Sequence, residues 1–307
     1  MVQYLFHSES SGFWWIRCLF LTALLLISPF CAAWSTLGHL VVCELAFQSV
    51  TPQTRVVIKR LAKSDVEPRF RTFAQGCVWA DTIRKRLPEY DPDHYLNVPR
   101  NRQSIRSSDC PEQRRCVLTA IARDRAIASN PEYDDYQRWR SLKLLGHWVA
   151  DLHQPLHVSY EDDRGGGLIK VDVSPELCDR ENLHQVWDDC LVRWAMMSGG
   201  EQLSVKAFVS SLLQQTHYSR GAGRPISWAQ ESYDLVRQPG LGYCLEAGSD
   251  CLYSKYTRRY VSGNQAPPRP KKVLKISRQY MDEHARVVEQ RLRIAGLRLA
   301  VILDAAL

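Results

Sequence analysis

The run LLGHWVADLHQPLH, residues 144–157, constrains this chain more than any other stretch. Its His147 and Asp151 are four positions apart, which puts an imidazole and a carboxylate on one helix face, about one turn from each other. His157 follows just past Pro155, where that helix should end. The same step recurs in NLHQVWDD, with His184 and Asp188. One such pair alone reads equally well as a helix salt bridge. Two pairs, together with His39, His94, His157 and Asp81 in polar and aromatic settings, exceed what a single metal ion accepts. Imidazole nitrogen and carboxylate oxygen without thiolate form the donor set of hydrolytic zinc. The chain therefore has to aim several helix faces at one place, and a multinuclear centre is the better hypothesis.

The rest of the pattern is helical too. Leu40, Cys43, Leu45 and Ala46 mark an apolar face. Thr51-Pro52, a capping residue followed by proline in the first turn, predicts a helix over 53–62. Residues 115–129 and 136–153 read as two further helices, interrupted by Asn130-Pro131. Val288, Leu292, Ala295, Leu299 and Ile302 fall at steps of four and three and make one apolar stripe. Before them, residues 265–272 form a proline-rich, basic connector. Only Leu168 to Val173, after Gly165-Gly166-Gly167, looks like a strand. No internal repeat is visible. The expectation is a mostly α, single-domain fold with a short strand or hairpin near 165–173.

The N-terminus reads as a secretory signal over residues 1–33. Arg17 precedes the apolar run 18–27, and Cys31-Ala32-Ala33 supplies small residues for cleavage before Trp34. That run falls short of the about 20 apolar residues a membrane span needs. A secreted or periplasmic protein of residues 34–307, without stable membrane association, is expected. Its formal charge of +7 suits an anionic substrate. Eight cysteines remain after cleavage, an even number that suggests disulfides in an exported chain. Local loops closed by Cys110–Cys116 and Cys244–Cys251 are the simplest pairs; Cys43–Cys77 and Cys178–Cys190 could complete the set. Thiolate ligation of a metal lacks any CxxC pair.

The segments WSTLGH, WADTIR, DHYLN, HWVADLHQPLH, DRGGGLIKV, NLHQVWD and AGLRLA occur in that order over residues 34–303. In this the chain resembles the zinc-dependent single-strand nucleases (class I nucleases), the fungal extracellular and plant bifunctional enzymes. The resemblance implies an all-helical fold of the zinc phospholipase C type and three Zn2+ per chain. One zinc would be held by Asp81, His94, His147 and Asp151. A second would take Trp34, through its free α-amine and carbonyl, with His39 and again Asp151. The third would take His157, His184 and Asp188. The implied reaction is hydrolysis of single-stranded DNA and RNA to 5′-phosphorylated products, with 3′-nucleotides as further substrates and no protein partner. A zinc-bridging hydroxide would attack phosphorus while the third zinc stabilises the leaving 3′ oxygen.

Arg84, one turn beyond Asp81, matches the family arginine that binds phosphoryl oxygens; otherwise it is a surface arginine beside Lys85 and Arg86. Tyr95 stands where relatives stack an aromatic on the nucleobase, and otherwise is a packed tyrosine. Two positions depart from the fungal pattern. Asn97 replaces an Asp that reads the base edge, and Gly167 replaces the Asn of a Gly-Gly-Asn turn that begins here at Gly165. The metal centre is thus intact while the base pocket is altered. His153 is expected to be structural or to stand behind the metal ligands, and His217 and His284 to be surface residues. The nearest alternative activity is that of a secreted zinc phospholipase C; a silent, disulfide-stapled binding module would have lost ligands that are all present.

Overall fold

The computed structural model describes residues 34–111, 113–215, 223–241, 253–254, 259–260 and 273–307. The expected signal segment 1–33, the connector 265–272, His217, Cys244 and Cys251 lie outside them. The described residues are mostly helical. α1 (Thr36–Ser49), α2 (Pro52–Ala62), α3 (Phe73–Cys77) and α4 (Trp79–Ile83) come first, then α5 (Val117–Ser129) and α6 (Asp135–His153). α7 (Leu183–Gln185) runs through a π-helical turn, Val186–Cys190, into α8 (Leu191–Ala195). α9 (Val205–Gln214), α10 (Pro225–Val236) and α11 (Arg278–Ala306) complete the set.

The helix ends follow their local chemistry. Thr51 caps α2 by accepting from the Thr54 amide, with Pro52 in the first turn. Asp134 caps α6 through Gln137 N, and the Gln137 side chain accepts in return from Asp134 N. Every residue of α6 from Ser141 to His153 is buried. A helix covered on all sides is a central element, not a surface one, and α1, α3, α5, α10 and α11 all pack on it.

α11 closes the bundle. Val288, Leu292, Ala295 and Leu299 of the stripe are fully buried. A Cβ at Gly296 would lie 2.6 Å from Leu45 Cδ2 and 3.0 Å from the Val42 carbonyl, so glycine is what lets α11 approach α1. A polar seam ties α11 to the end of α6. Arg298 Nη1 lies 3.0 Å from His153 Nε2 and donates to Glu231 at 2.7 Å, while Arg291 Nε donates to the His153 carbonyl at 3.1 Å. His153 is thus structural, as expected.

One expectation needs correction. His284 is not a surface residue: it is buried, its Nδ1 donates to the Tyr280 carbonyl, and its ring stacks on Tyr280 at 3.9 Å and meets Trp187 edge-on. Of the short strand or hairpin expected near 165–173, the strand is present. Only Val171–Asp172 is strand, paired in parallel with Leu274–Lys275. The residues before it are consumed by a turn in which Arg164, Gly165 and Gly166 all have positive φ, a geometry incompatible with a ladder.

Three disulfides are present among the described residues: Cys43–Cys77, Cys110–Cys116 and Cys178–Cys190. The first joins α1 to α3. Its sulfurs face α6 at Gly146, where an added Cβ would lie 2.4 Å from Cys77 Sγ and 2.8 Å from Cys43 Sγ. No helix of the described residues is long and apolar enough to cross a membrane.

Candidate metal centre

Four elements converge around the inner end of α6. α6 itself supplies His147 and Asp151, and the 3-10 turn Pro155–His157 that follows supplies His157. α1 supplies His39 and α4 supplies Asp81. The 3-10 helix Pro88–His94 delivers His94, and α7 with its π turn delivers His184 and Asp188. π turns of this kind frequently occur at functional sites. Trp34 is buried beside them. Its indole donates to the Ala150 carbonyl at 2.8 Å, and the next amide, Ser35 N, donates to the Asp188 carbonyl at 2.8 Å.

Asp151 sits in the middle. Its Oδ2 lies 3.0 Å from His94 Nδ1 and 3.3 Å from His147 Nε2; its Oδ1 lies 3.4 Å from His39 Nε2 and 3.8 Å from His157 Nδ1. Asp81 Oδ1 is 3.6 Å from His147 Nε2, and its Oδ2 is 4.0 Å from His39 Nε2. On the far side, His184 Nε2 and His157 Nε2 lie 3.1 and 3.8 Å from the Asp188 carboxylate. Three triads result, each with donor atoms within 4.8 Å of one another: His39, His147 and Asp151; Asp81, His94 and His147; His157, His184 and Asp188.

Backbone carbonyls orient the rings. His147 Nδ1 faces Cys77 O at 2.7 Å, His157 Nδ1 faces His94 O at 2.8 Å, and His184 Nδ1 faces Gly165 O at 2.7 Å. A carbonyl only accepts, so each Nδ1 carries the proton and each Nε2 turns a lone pair inward. Gly165 has φ +61, and a Cβ there would lie 2.3 Å from the Leu156 carbonyl, so this turn closes over His184 only as glycine. Gln154 donates to Asp188 Oδ1 at 2.6 Å while its own oxygen accepts from Leu156 N at 2.6 Å. Gln154 carries no ligand spacing of its own, and its position between two histidines in HQPLH is the one sequence signal of this role.

The chemistry of the cluster fits a cation. His39 Nδ1 and Nε2, Asp81 Oδ1, His94 Nε2, Asp151 Oδ1 and His157 Nε2 are buried without a hydrogen-bond partner. Each such atom costs on the order of 1–3 kcal/mol in a protein interior, and among them His39 Nε2, Asp81 Oδ1, Asp151 Oδ1 and His157 Nε2 face other donors of the cluster. Burial holds His39, His94, His147 and His157 below the usual imidazole range, and so neutral. Burial also raises Asp151, with Asp188 adding to it, raises Asp188, and brings Asp81 to about 7. Neutral imidazoles offer lone pairs, and three carboxylates that resist ionisation by themselves would ionise readily beside a cation, so the donor set suits positive ions.

The model of the S1/P1 Nuclease family matches residues 34–307, from the buried tryptophan to the end of α11. The chain belongs to the S1/P1 nuclease family. It is similar to Endonuclease 3 of Arabidopsis thaliana, 26% identical over 303 residues that cover 94% of each chain. It is also similar to Nuclease S1 of Aspergillus oryzae, 25% identical over 92% of this chain and 94% of that protein. Its match to Endonuclease 2 of Arabidopsis thaliana, at 29% identity, covers 56% of this chain and 60% of that protein. The family is zinc-dependent, and its members are hydrolases acting on phosphoester bonds.

Next to the S1/P1 cluster stand the residues expected to meet substrate. Arg84 caps the end of α4, largely buried, and its Nε donates to Asp91 Oδ1 at 2.5 Å. Burial disfavours its charge, but Asp91, Asp81 and Asp151 outweigh that and hold its pKa above the ordinary value. Tyr95 is half-buried, and its hydroxyl donates to the other oxygen of Asp91 at 3.3 Å. Arg84, Asp91 and Tyr95 thus form one hydrogen-bonded group beside the cluster. Asn97 is half-buried, with a buried Oδ1 that lacks a partner. Gly167 is half-buried in the turn that begins at Gly165.

Proposed function

We propose that the mature protein begins at Trp34, is secreted or periplasmic, binds three Zn2+, and hydrolyses single-stranded DNA and RNA to 5′-phosphorylated products. Removal of the phosphate from 3′-nucleotides would use the same site. The observation that carries this reading is the group of inward-facing, unpartnered imidazole nitrogens and carboxylate oxygens around Asp151.

Asp81, His94, His147 and Asp151 would hold one ion; the Trp34 amine and carbonyl, His39 and Asp151 the second; His157, His184 and Asp188 the third. Zinc, when bound, supplies Lewis acidity, making water nucleophilic near neutral pH and offsetting charge on a leaving oxygen. The rest of the work falls to the protein. The carbonyls of Cys77, His94 and Gly165 fix the ring orientations, as outer partners of metal ligands do. Arg84, kept charged and aimed by Asp91, is suited to gripping the non-bridging phosphoryl oxygens. Tyr95, fixed through the same carboxylate, offers a ring for stacking on an unpaired base, which is worth about 1–3 kcal/mol.

The test uses purified protein starting at Trp34. Zinc is counted by elemental analysis, and hydrolysis is followed on single-stranded DNA, RNA, duplex DNA, 3′-mononucleotides and phosphatidylcholine. Three zinc ions and turnover of single strands over duplex are expected. Full activity with one zinc or none, or a preference for phosphatidylcholine, would overturn the reading.

A further inference from the structure

We propose that Arg115, Arg123 and Arg140, gathered around Tyr90, form a second contact surface for the nucleic-acid strand. They would bind backbone phosphates outside the nucleotide being cleaved. The inference rests on the nuclease reading above and adds to it a determinant for long substrates.

The guanidinium carbons of Arg115, Arg123 and Arg140 lie 4.9, 5.8 and 5.7 Å from the centre of the Tyr90 ring. Arg140 also donates to the Tyr90 hydroxyl and lies 5.8 Å from the Trp79 ring. Three like charges around one ring repel each other unless offset. Two buried carboxylates offset part of this: Asp93 receives Arg115 and Arg123, and Asp124 receives Arg123. Arg140 has no carboxylate partner among the described residues, so the group retains an excess of positive charge. It also reaches solvent, the side chains of Arg115 and Arg123 being 38% and 35% exposed.

This group lies beside the metal centre along three elements at once. Arg140 precedes His147 by seven residues on α6, which is two turns along the same face, about 10 Å. Tyr90 precedes His94 by four residues on one 3-10 helix, and Trp79 precedes Asp81 by two on α4. Trp148 bridges the two regions: its ring meets His94 edge-on at 4.8 Å, and its nitrogen donates to Asp124 at 2.8 Å. Planar guanidinium forks match phosphate oxygens, and the tyrosine between them holds the forks apart and in place. A polyphosphate backbone is the ligand with this charge and repeat, and the chain's +7 agrees with it.

The test compares the parent protein with Arg140→Gln and Arg140→Lys on poly(dT) and on a thymidine dinucleotide, over a range of salt. For Arg140→Gln, KM on poly(dT) at low salt should rise roughly tenfold with kcat unchanged. The slope of its logarithm against log salt should fall by about 0.7, one phosphate contact on a single strand. Dinucleotide turnover should be unchanged, and Arg140→Lys, which keeps the charge without the fork, should keep the parent's salt slope while recovering only part of the loss on poly(dT). Equal losses on both substrates, or no loss on poly(dT), would overturn the proposal. Binding of fluorescent poly(dT) by anisotropy keeps the two readings apart. Should the parent hydrolyse neither substrate, the nuclease reading fails; anisotropy still decides whether Arg140 binds the strand.

Discussion

Gly146→Ala tests whether the disulfide wall behind α6 sets the position of His147. The added methyl would sit 2.4 Å from Cys77 Sγ, 2.8 Å from Cys43 Sγ and 3.2 Å from Phe73 Cζ. Ordinary contact begins near 3.4 Å, so α6 or the disulfide has to move by about 1 Å. Both sulfurs are fully buried on α1 and α3, and a packed interior yields little. Overpacking of this kind costs about 1–3 kcal/mol, while alanine in place of a helical glycine returns about 1 kcal/mol. Net stability should therefore drop by no more than about 2 kcal/mol. Activity should fall much further, because His147 is the next residue and a shift of about 1 Å in a catalytic group can cost about a hundredfold. The assay measures kcat on single-stranded DNA, zinc content and thermal midpoint. The same change in a Cys43→Ala, Cys77→Ala background, where the space is open, should cost far less relative to that background. Unchanged kcat and zinc content in Gly146→Ala would refute the argument.

Three further outcomes follow from the site. A protein carrying an extra glycine before Trp34 should lose or misplace one zinc of three and most of its activity, since an amide nitrogen is a far poorer ligand than an amine; equal kcat from both forms would rule out the terminal amine. Gln154→Leu removes the donor to Asp188 Oδ1 and should weaken the zinc at His157, His184 and Asp188 about 10- to 100-fold in a chelator competition, with unaltered competition counting against that assignment. With Asn97 and Gly167 in place of two base-reading groups, the four nucleotides should be cleaved within about one order of magnitude of each other; a thousandfold preference for one base in a defined-sequence assay would contradict this.

Much of the frame was readable from residues alone, because its signals are local. Thr51-Pro52 and the stripe from Val288 to Ile302 each carry their cap or period within a few positions. His147 with Asp151 and His184 with Asp188 were readable because their four-residue steps put each pair on one helix face, while His39, Asp81, His94 and His157 were read from their motifs. What escaped depends on partners distant in sequence. The strand at Val171–Asp172 finds its neighbour at Leu274–Lys275, about a hundred residues on. His284 owes its burial partly to Trp187, on a different helix. The arginines around Tyr90 come from three separate segments and carry no common motif.

The close approach of α11 to α1 at Gly296 bears on the order in which the molecule can be assembled. Every side chain of the metal centre lies between Trp34 and Asp188, so all of them emerge early in synthesis. The helix that presses α1, and with it His39, toward the rest comes after all of them in the sequence. Contacts between segments far apart in sequence close slowly, because the intervening loop must lose its freedom first. A nascent chain therefore owns the complete set of donor groups well before it owns the helix that holds α1 in place. Assembly of the centre waits for α11, and removing α11 would disable a site to which that helix contributes no donor.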